Sequence, residues 1–148
     1  LQHSGLADGM NVFAGYSNVQ QIATTTDHSD DQISYAAGLT YAVGGITLGF
    51  EMSREDLNDN SVHAYDNTMY GLSYAVNDDL SVSWGHVESE KNNNGSANVT
   101  METDSFQLSY TMGGATIKIA ETQVDNADYV STTAGDKEGT TVMLSLAF

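Results

Sequence analysis

The last ten residues, 139–148 (GTTVMLSLAF), constrain the fold of this chain more than any other stretch. Large apolar side chains alternate there with smaller or polar ones, which is the period-two pattern of a β-strand with two different faces. One face carries Val142, Leu144, Leu146 and Phe148. An aliphatic strand with a free end invites pairing with other chains and aggregation in water. The apolar side of this strand therefore needs a cover.

Two kinds of β-protein supply such a cover. In an outer-membrane β-barrel, lipid covers the apolar face and closure of the barrel pairs the edge. In a soluble β-sandwich, a second sheet covers the apolar face. A terminal aromatic after alternating aliphatics also resembles the C-terminal signal that the barrel-insertion machinery of bacteria reads. Leu144, Leu146 and Phe148 carry this likeness.

The same pattern recurs through the chain as a series of hairpins. Alternation predicts strands over residues 10–18, 32–43, 46–53, 62–76, 80–88, 106–112 and 115–119, before the terminal strand. Tight turns near Gly45, Asp78 and Gly113 recur at a nearly constant spacing, with long polar loops at the other end. This predicts an all-β fold in one domain, 1–148: a transmembrane antiparallel up-and-down β-barrel of which about eight strands are visible. Residues 1–4 are expected to be the tail of an earlier strand.

Composition removes several other classes of protein. The chain has no Cys and no Pro, so disulfides and Cys-ligated metals are excluded and nothing interrupts long paired strands. Its formal net charge of -16 argues against binding to nucleic acid, which needs Lys and Arg. No run of about 18 apolar residues predicts a membrane helix, but barrel strands carry a weaker signal that this absence leaves intact. No leader is visible, so the chain is expected to be processed or truncated.

The opposite faces of the predicted strands are lined by small side chains. They include Ser34, Ala36, Gly38, Thr40, Ala42, Thr47, Gly49, Gly71, Ser73, Ala75, Ser81, Ser83, Gly85, Ser109, Thr111, Thr116, Ser145 and Ala147. A closed eight-stranded barrel is just wide enough to be filled by side chains, and these would leave it underfilled. They suit the wall of a wider barrel with a water-filled lumen.

Taken in order, these segments resemble the C-terminal half of a general diffusion porin of the alphaproteobacterial type. The likeness rests on residues 5–9 (GLADG) leading into 11–16 (NVFAGY), the hairpin 41–50 (YAVGGITLGF) and the segment 141–148. It implies a sixteen-stranded homotrimeric barrel in the outer membrane of a Gram-negative bacterium, in contact with lipid and lipopolysaccharide. It also implies passive diffusion of small hydrophilic solutes and ions. The constriction loop of such porins belongs to their N-terminal half, so the resemblance names no constriction residue here.

Charged side chains are the candidate functional residues of such a channel. Wall charges bias which ions enter, so Glu51 and Lys118 are the pore-wall candidates, unless they pair locally and only solvate the wall. Acid-rich loops at the outer mouth should attract cations. Residues 27–31 and 55–59 are also candidate Ca²⁺ sites, although neither matches an EF-hand and acidic runs are usually only solvated. Their acids are Asp27, Asp30, Asp31, Glu55, Asp56 and Asp59.

No residue pattern demands catalysis. The four His residues do not pair at a metal-ligand spacing, and His86 and Glu88 could serve a membrane-barrel hydrolase only together with an unspecified loop Ser. We therefore expect a channel and not an enzyme, with no cofactor beyond the candidate Ca²⁺. The main alternative is a closed eight-stranded outer-membrane barrel with a structural or adhesion role and no open pore. A soluble β-sandwich binding module comes third, and it would need a Greek-key strand order.

Overall fold

A computed structural model describes residues 2–22 and 30–147, and this part of the chain is all-β. The strands are β1 (Gln2–His3), β2 (Met10–Val19), β3 (Gln32–Val43), β4 (Ile46–Asp56), β5 (Val62–Ala75), β6 (Leu80–Asn93), β7 (Val99–Met112), β8 (Ala115–Asp125) and β9 (Lys137–Leu146). Two single turns of 3₁₀ helix, Ala127–Tyr129 and Thr133–Gly135, lie between β8 and β9. No helix in the described ranges has the length and apolarity to cross a membrane.

All nine strands form one antiparallel sheet, in which each strand pairs with its neighbours in the sequence. This up-and-down order confirms the predicted meander, and it differs from the Greek key that a sandwich would need. The eight long strands, β2 to β9, are those that alternation predicts, and β1 lies where the tail of a strand is expected. The sheet is open, with β1 at one edge and β9 at the other. Closure into a barrel therefore stays a prediction.

Three short turns join hairpins at one end of the sheet, which we call the short-turn end. Gly44 and Gly45 both have positive φ, 54° and 84°, as the tight turn between β3 and β4 requires. At the second turn, the Asn77 side chain accepts hydrogen bonds from the backbone N–H groups of Asp79 and Leu80, at 2.9 Å each. The third turn is again a glycine pair. We call the opposite end, with its longer connections, the long-loop end.

Several strands extend further toward the long-loop end than alternation predicts. Residues 54–56, 90–93 and 99–102 read as polar loops from their composition, but they belong to β4, β6 and β7. Residues 124–125 and 137–138 likewise belong to β8 and β9. The prediction is wrong there because it relies on apolar alternation. The ladder of backbone hydrogen bonds continues through strand segments whose two faces are both polar.

The sheet has almost no hydrophobic core of its own. Among the described residues, Ala64 is the sole buried apolar side chain, and no large side chain is fully buried. Large side chains of a sheet become buried only when another layer packs on them. Apart from residues of the β8–β9 connection, no second layer covers either face of the described sheet, so the two faces are open surfaces.

Candidate functional site

The strand register divides the side chains into two faces of different chemistry. On the face that we call the apolar face, large apolar side chains of all eight long strands form a continuous apolar band. Its exposed members, with 39% to 69% of their surface accessible, are Tyr16, Tyr35, Val43, Ile46, Leu48, Phe50, Met52, Tyr70, Leu72, Tyr74, Trp84, Phe106, Tyr110, Met112, Ile117, Ile119, Val142, Leu144 and Leu146. Proteins in water rarely expose apolar patches larger than a few hundred Å². The band therefore indicates a surface that is covered in the working protein.

The apolar band crosses the strands obliquely. The row of directly paired residues that starts at Ile33 on β3 continues as Asp56, Ala64 and Asn92 on the next three strands. Only Ile33 in this row is a large apolar residue, so the band does not follow the row beyond β3. From β3 to β9, the last apolar side chains before the polar end are Ile33, Met52, Tyr70, Trp84, Phe106, Ile119 and Val142. The boundary at the short-turn end drifts in the same direction. Averaged over both boundaries, the drift is about one residue per strand, which corresponds to a strand tilt of roughly 40° at ~3.4 Å rise and ~4.8 Å spacing.

Toward the long-loop end, the apolar face becomes acidic in a region that we call the acidic belt. Its acids are Asp56, Asp66, Glu88, Glu90, Glu102, Asp104, Glu121, Asp125 and Glu138. Glu88, Glu102 and Asp125 stand directly opposite one another on three adjacent strands. Like charges in this position repel and cost free energy. The belt gives this end of the sheet a negative potential.

Arg54 is the only Lys or Arg among the strand residues described in the belt, and it joins two of the acids. Its guanidinium donates to both carboxylate oxygens of Asp66, at 3.0 and 2.7 Å, and to both of Asp56, at 3.0 Å each. The hydrogen bonds from Arg54 hold the pKa of Asp56 below its ordinary value, although burial acts in the opposite direction. This cluster lies beyond the apolar band, where it braces β4 against β5.

Aromatic and polar side chains meet where the apolar band borders the acidic belt. His86 is buried there, with Nδ1 3.0 Å from an Asp104 oxygen and Nε2 3.3 Å from a Glu88 oxygen. The Tyr70 ring lies 4.9 Å from the imidazole, and the Trp84 indole N–H donates to Asp104 at 3.1 Å. Aromatic rings that carry a polar group in contact with water are favoured at the headgroup level of a membrane. The His86–Glu88 pair is thus part of this boundary layer.

The other face, which we call the small-residue face, presents small and polar side chains, as the alternation predicts. A row of directly opposed glycines crosses three strands: Gly49, Gly71 and Gly85. The Phe13 ring packs over Gly38 at the side of this row. The glycines leave a shallow recess of about 280 Å³ in the face. Its projecting walls are Phe13, Glu51, Met69 and Val87.

Glu51 and Lys118 both lie on the small-residue face, but the structure keeps them apart. Glu51 is on β4 and Lys118 is on β8. Four strand-to-strand steps separate them across the sheet, which is about 19 Å at ~4.8 Å per step. The row of paired residues that contains Glu51 reaches β8 at Val124, so Lys118 is also displaced along the strand and the full separation is larger. Neither forms an ion pair with any residue in the described part of the chain. Each therefore presents an uncompensated charge on this face.

The connection between β8 and β9, residues 126–136, folds back onto the small-residue face. We call this segment the strap. The Tyr129 hydroxyl lies 2.7 Å from the Ser89 Oγ, and its ring centroid is 5.4 Å from that of Tyr65. The Nζ of Lys91 lies 5.7 Å from the centre of the same ring. Tyr65, Ser89 and Lys91 all point to the small-residue face, so the strap covers its long-loop end.

The backbone of the strap is held in an unusual conformation. Asn126, Asp128 and Tyr129 have positive φ values of 55°, 57° and 58°, which are rare for residues other than glycine. The Asn126 side-chain amide donates to the Thr100 carbonyl at 2.8 Å, and its backbone N–H donates to Asp136 at 3.3 Å. Sequence patterning missed this element because left-handed residues produce no period. The run of polar residues there predicts only a loop.

The predicted calcium-binding acids do not converge in the described residues. Asp27 lies outside them. Glu55 and Asp56 lie in β4 and not in a loop, and as neighbours in a strand they point to opposite faces of the sheet. The carboxylates of Asp30, Asp31 and Asp59 accept backbone N–H groups nearby. No group of three or more His, Asp or Glu side chains within residues 2–22 and 30–147 is placed to hold a metal ion. Calcium binding here stays a prediction.

Of the three residues in the predicted insertion signal, the structure describes Leu144 and Leu146. Leu144 and Leu146 lie on β9 within the apolar band, exposed to 61% and 56%. Phe148 lies outside the described residues. The two leucines therefore have the orientation that a lipid-facing signal needs, and the role of the terminal aromatic stays a prediction.

Comparison with known proteins identifies no relative. No protein-family model matches the chain, and no curated protein or solved structure matches it.

Proposed function

We propose that this chain forms part of the wall of an outer-membrane β-barrel channel, a general diffusion porin through which small hydrophilic solutes and ions pass in water. The observation that carries the proposal is the apolar band. It spans eight adjacent strands, lacks a cover among the described residues and crosses the rows of paired residues obliquely. Lipid is the cover that suits all three features, because a flat membrane meets the tilted strands of a barrel along an oblique line.

The small-residue face supports an open lumen over a packed interior. The alternative, a closed eight-stranded barrel with a structural or adhesion role, needs side chains that fill its interior. The glycine row and the surrounding Ser, Thr and Ala residues leave a recess in this face instead. Further strands, from the same polypeptide or from other copies, would close a wider barrel of the sixteen-stranded kind. This face would then line water.

The proposed cation preference arises from the acidic belt at the long-loop mouth of the channel, and not from the charges on the small-residue face that forms its wall. The small-residue face carries strand charges that nearly balance: Glu51, Glu55, Lys91, Lys118 and Lys137. The acidic belt surrounds the long-loop end with negative charge. Its field extends about 8–10 Å at physiological salt, which is enough to reach the entrance across the thickness of the wall. The cation preference should therefore weaken as salt concentration rises.

The proposal also orients the chain in its membrane. The apolar band lies in the hydrocarbon of the outer membrane, and the acidic belt stands next to lipopolysaccharide headgroups. The long-loop end then faces outward and the short-turn end faces the periplasm, as in other bacterial barrels. A homotrimer and the barrel-insertion machinery are the protein partners that the sequence resemblance implies, and no catalytic step is involved.

Reconstitution of the full chain into planar bilayers tests the proposal. We expect stepwise conductance and, under a salt gradient, a reversal potential that indicates cation preference at low salt. Glu51→Gln removes a negative wall charge, so the reversal potential should shift in the direction of anion selectivity. Lys118→Gln removes a positive wall charge, so the reversal potential should shift in the direction of cation selectivity. Ser83→Ala, an uncharged change on the same face, is the control and should leave the potential unchanged.

Two results would count against the proposal. Bilayers that stay silent, together with vesicles that retain small sugars, would exclude an open channel and favour the closed barrel. Conductance without a response to either wall substitution would mean that the small-residue face does not line the path of the ions.

A further inference from the structure

The strap lies on the face to which the proposed function assigns the lumen. We propose that the strap narrows the long-loop mouth of the channel, and that Tyr129 sets its position and so helps to decide the size of solute that enters. The inference rests on the proposed function and adds a specificity-determining element to it.

The strap is held by a chain of hydrogen bonds that crosses three strands. Ser89 is 5% exposed beneath Tyr129 and donates its hydroxyl proton to the Asn67 side-chain oxygen at 2.5 Å. Because that proton is used, the Tyr129 hydroxyl is the donor in its 2.7 Å contact with Ser89. Asn67 in turn donates to the Ser53 Oγ at 3.2 Å. Tyr129 is therefore connected through β6 and β5 to β4.

The aromatic contacts hold the ring from its sides. Tyr65 lies on β5 and Lys91 lies directly opposite it on β6, so both side chains rise from the small-residue face next to the Tyr129 ring. Tilted aromatic pairs and a cation near a ring are both favourable contacts. Together with the hydroxyl, these contacts hold one large side chain of the strap against the wall.

The position of the strap along the strands indicates the mouth and not the middle of the channel. Lys91 lies beyond Trp84, the last member of the apolar band on β6, by about 24 Å at ~3.4 Å per residue. The strap therefore stands on the long-loop side of the apolar band. A segment held on the inner wall at this level takes up cross-section that a solute would otherwise use, and bulky hydrophilic solutes such as oligosaccharides should be affected most.

Removal of the anchoring ring gives the first test. In planar bilayers, Tyr129→Ala should raise single-channel conductance by roughly 1.2- to 2-fold. In vesicle-swelling assays, the permeation rate of a trisaccharide should rise more than that of a monosaccharide. Tyr110→Ala removes a tyrosine from the apolar face, 41% exposed, and should change neither quantity. Ser89→Ala, which removes only the hydroxyl partner, should act in the same direction with a smaller effect.

A single engineered thiol gives an independent test, because the chain contains no Cys. Asp128→Cys places a thiol at an exposed position of the strap, and Asp78→Cys places one at an exposed position of a short turn. Reaction of Asp128→Cys with a bulky thiol reagent should lower the conductance of an open channel. The same reagent on Asp78→Cys should leave it unchanged.

The outcomes separate the two proposals. Unsubstituted protein that never conducts would overturn the channel itself. The strap would not be a constriction if Tyr129→Ala left conductance and sugar permeation unchanged or lowered them, and if the thiol reagent at position 128 did not change the conductance. The proposal of a channel would be unaffected by that result.

Discussion

Two strand glycines on the small-residue face have different surroundings. A Cβ added at Gly38 would lie 2.6 Å from both the Phe13 Cζ and the Phe50 carbonyl oxygen, which is closer than real Cβ contacts. A Cβ added at Gly49 would meet no atom within 4 Å. Gly38 therefore allows Phe13 and the neighbouring backbone to approach, whereas Gly49 only keeps the wall open.

This contrast predicts opposite effects of the same substitution. Gly38→Ala should destabilise the folded protein by about 1–3 kcal/mol, because the ring of Phe13 and the strand must shift. Gly49→Ala is the matched control and should change stability by less than about 1 kcal/mol, in the stabilising direction, because it restricts the unfolded chain. Urea unfolding in detergent measures both. Equal effects at the two positions would contradict the packing of Phe13 over Gly38.

The Arg54 cluster predicts a pH-dependent contribution to stability. Arg54→Ala should cost about 1–2 kcal/mol at pH 7, since two carboxylates at a partly exposed site lose the guanidinium. Asp66 would keep the Asn92 amide donor at 2.7 Å, and Asp56 would keep the His63 imidazole at 3.4 Å. The pKa of Asp56 is lowered in the folded protein, so its contribution is present above the unfolded pKa near 3.9 and is lost as the pH falls through the folded value.

Urea unfolding at several pH values measures this contribution. The difference between the unsubstituted protein and Arg54→Ala should be constant from about pH 5 to 8 and should shrink below about pH 4. Lys137→Ala is the control, because the Lys137 ammonium donates only to the Ala134 carbonyl among its described contacts. A difference that persists unchanged at pH 3 would show that packing and not charge holds Arg54.

At the scale of the element, β9 carries the two environments on adjacent residues. Leu144 points to the apolar face in the middle of the apolar band, and Ser145 points to the small-residue face opposite Thr116. Leu144→Arg should destabilise the protein in lipid vesicles by about 2–4 kcal/mol, which is the cost of a cation at the bilayer midplane. Ser145→Arg should be tolerated because its side chain meets water. Equal tolerance in vesicle unfolding experiments would mean that lipid does not cover this face.

Elements with apolar alternation could be predicted from the sequence, and polar ones could not. The bounds of β3 match the prediction at both ends, because Ile33 and Val43 alternate with small residues without a break. The far ends of β6 and β7 were missed because Glu90 and Glu102 suggest a solvated loop, while the backbone pairing that keeps them in strands is invisible in a list of side chains. The strap was missed for a related reason: Tyr129 finds Ser89 only after the sheet has formed.

The same limit applies to the candidate site. Residue parity predicted that Glu51 and Lys118 share a face, because alternation is a local property of a strand. Their separation of four strand steps, and the presence of Lys91 on that face, depend on register across the whole sheet. Composition alone places five acids of the belt in loops: Asp56, Glu90, Glu102, Asp125 and Glu138. They lie on the apolar face because the strands are longer than alternation predicts.

At the scale of the whole molecule, an open sheet and an uncovered band require two different kinds of closure. Lipid can cover the apolar band, but it cannot hydrogen-bond the free backbone groups of an edge strand, each of which costs several kcal/mol in hydrocarbon. β9 is such an edge, and its side chains are exposed along the entire strand. The sheet therefore cannot function in a membrane until another strand pairs with β9.

Amide hydrogen exchange in lipid should detect that pairing. In an antiparallel edge strand, alternate N–H groups bond the inner neighbour and the others point outward. If the proposed barrel closes, all amides of β9 within the apolar band should exchange slowly, as is expected for the central strand β5, which is paired on both sides. If β9 remains an edge, protection should alternate along the strand, with slow and fast residues in turn. Alternation in fully assembled protein would exclude a closed barrel of any size, and with it a channel wall built on this sheet.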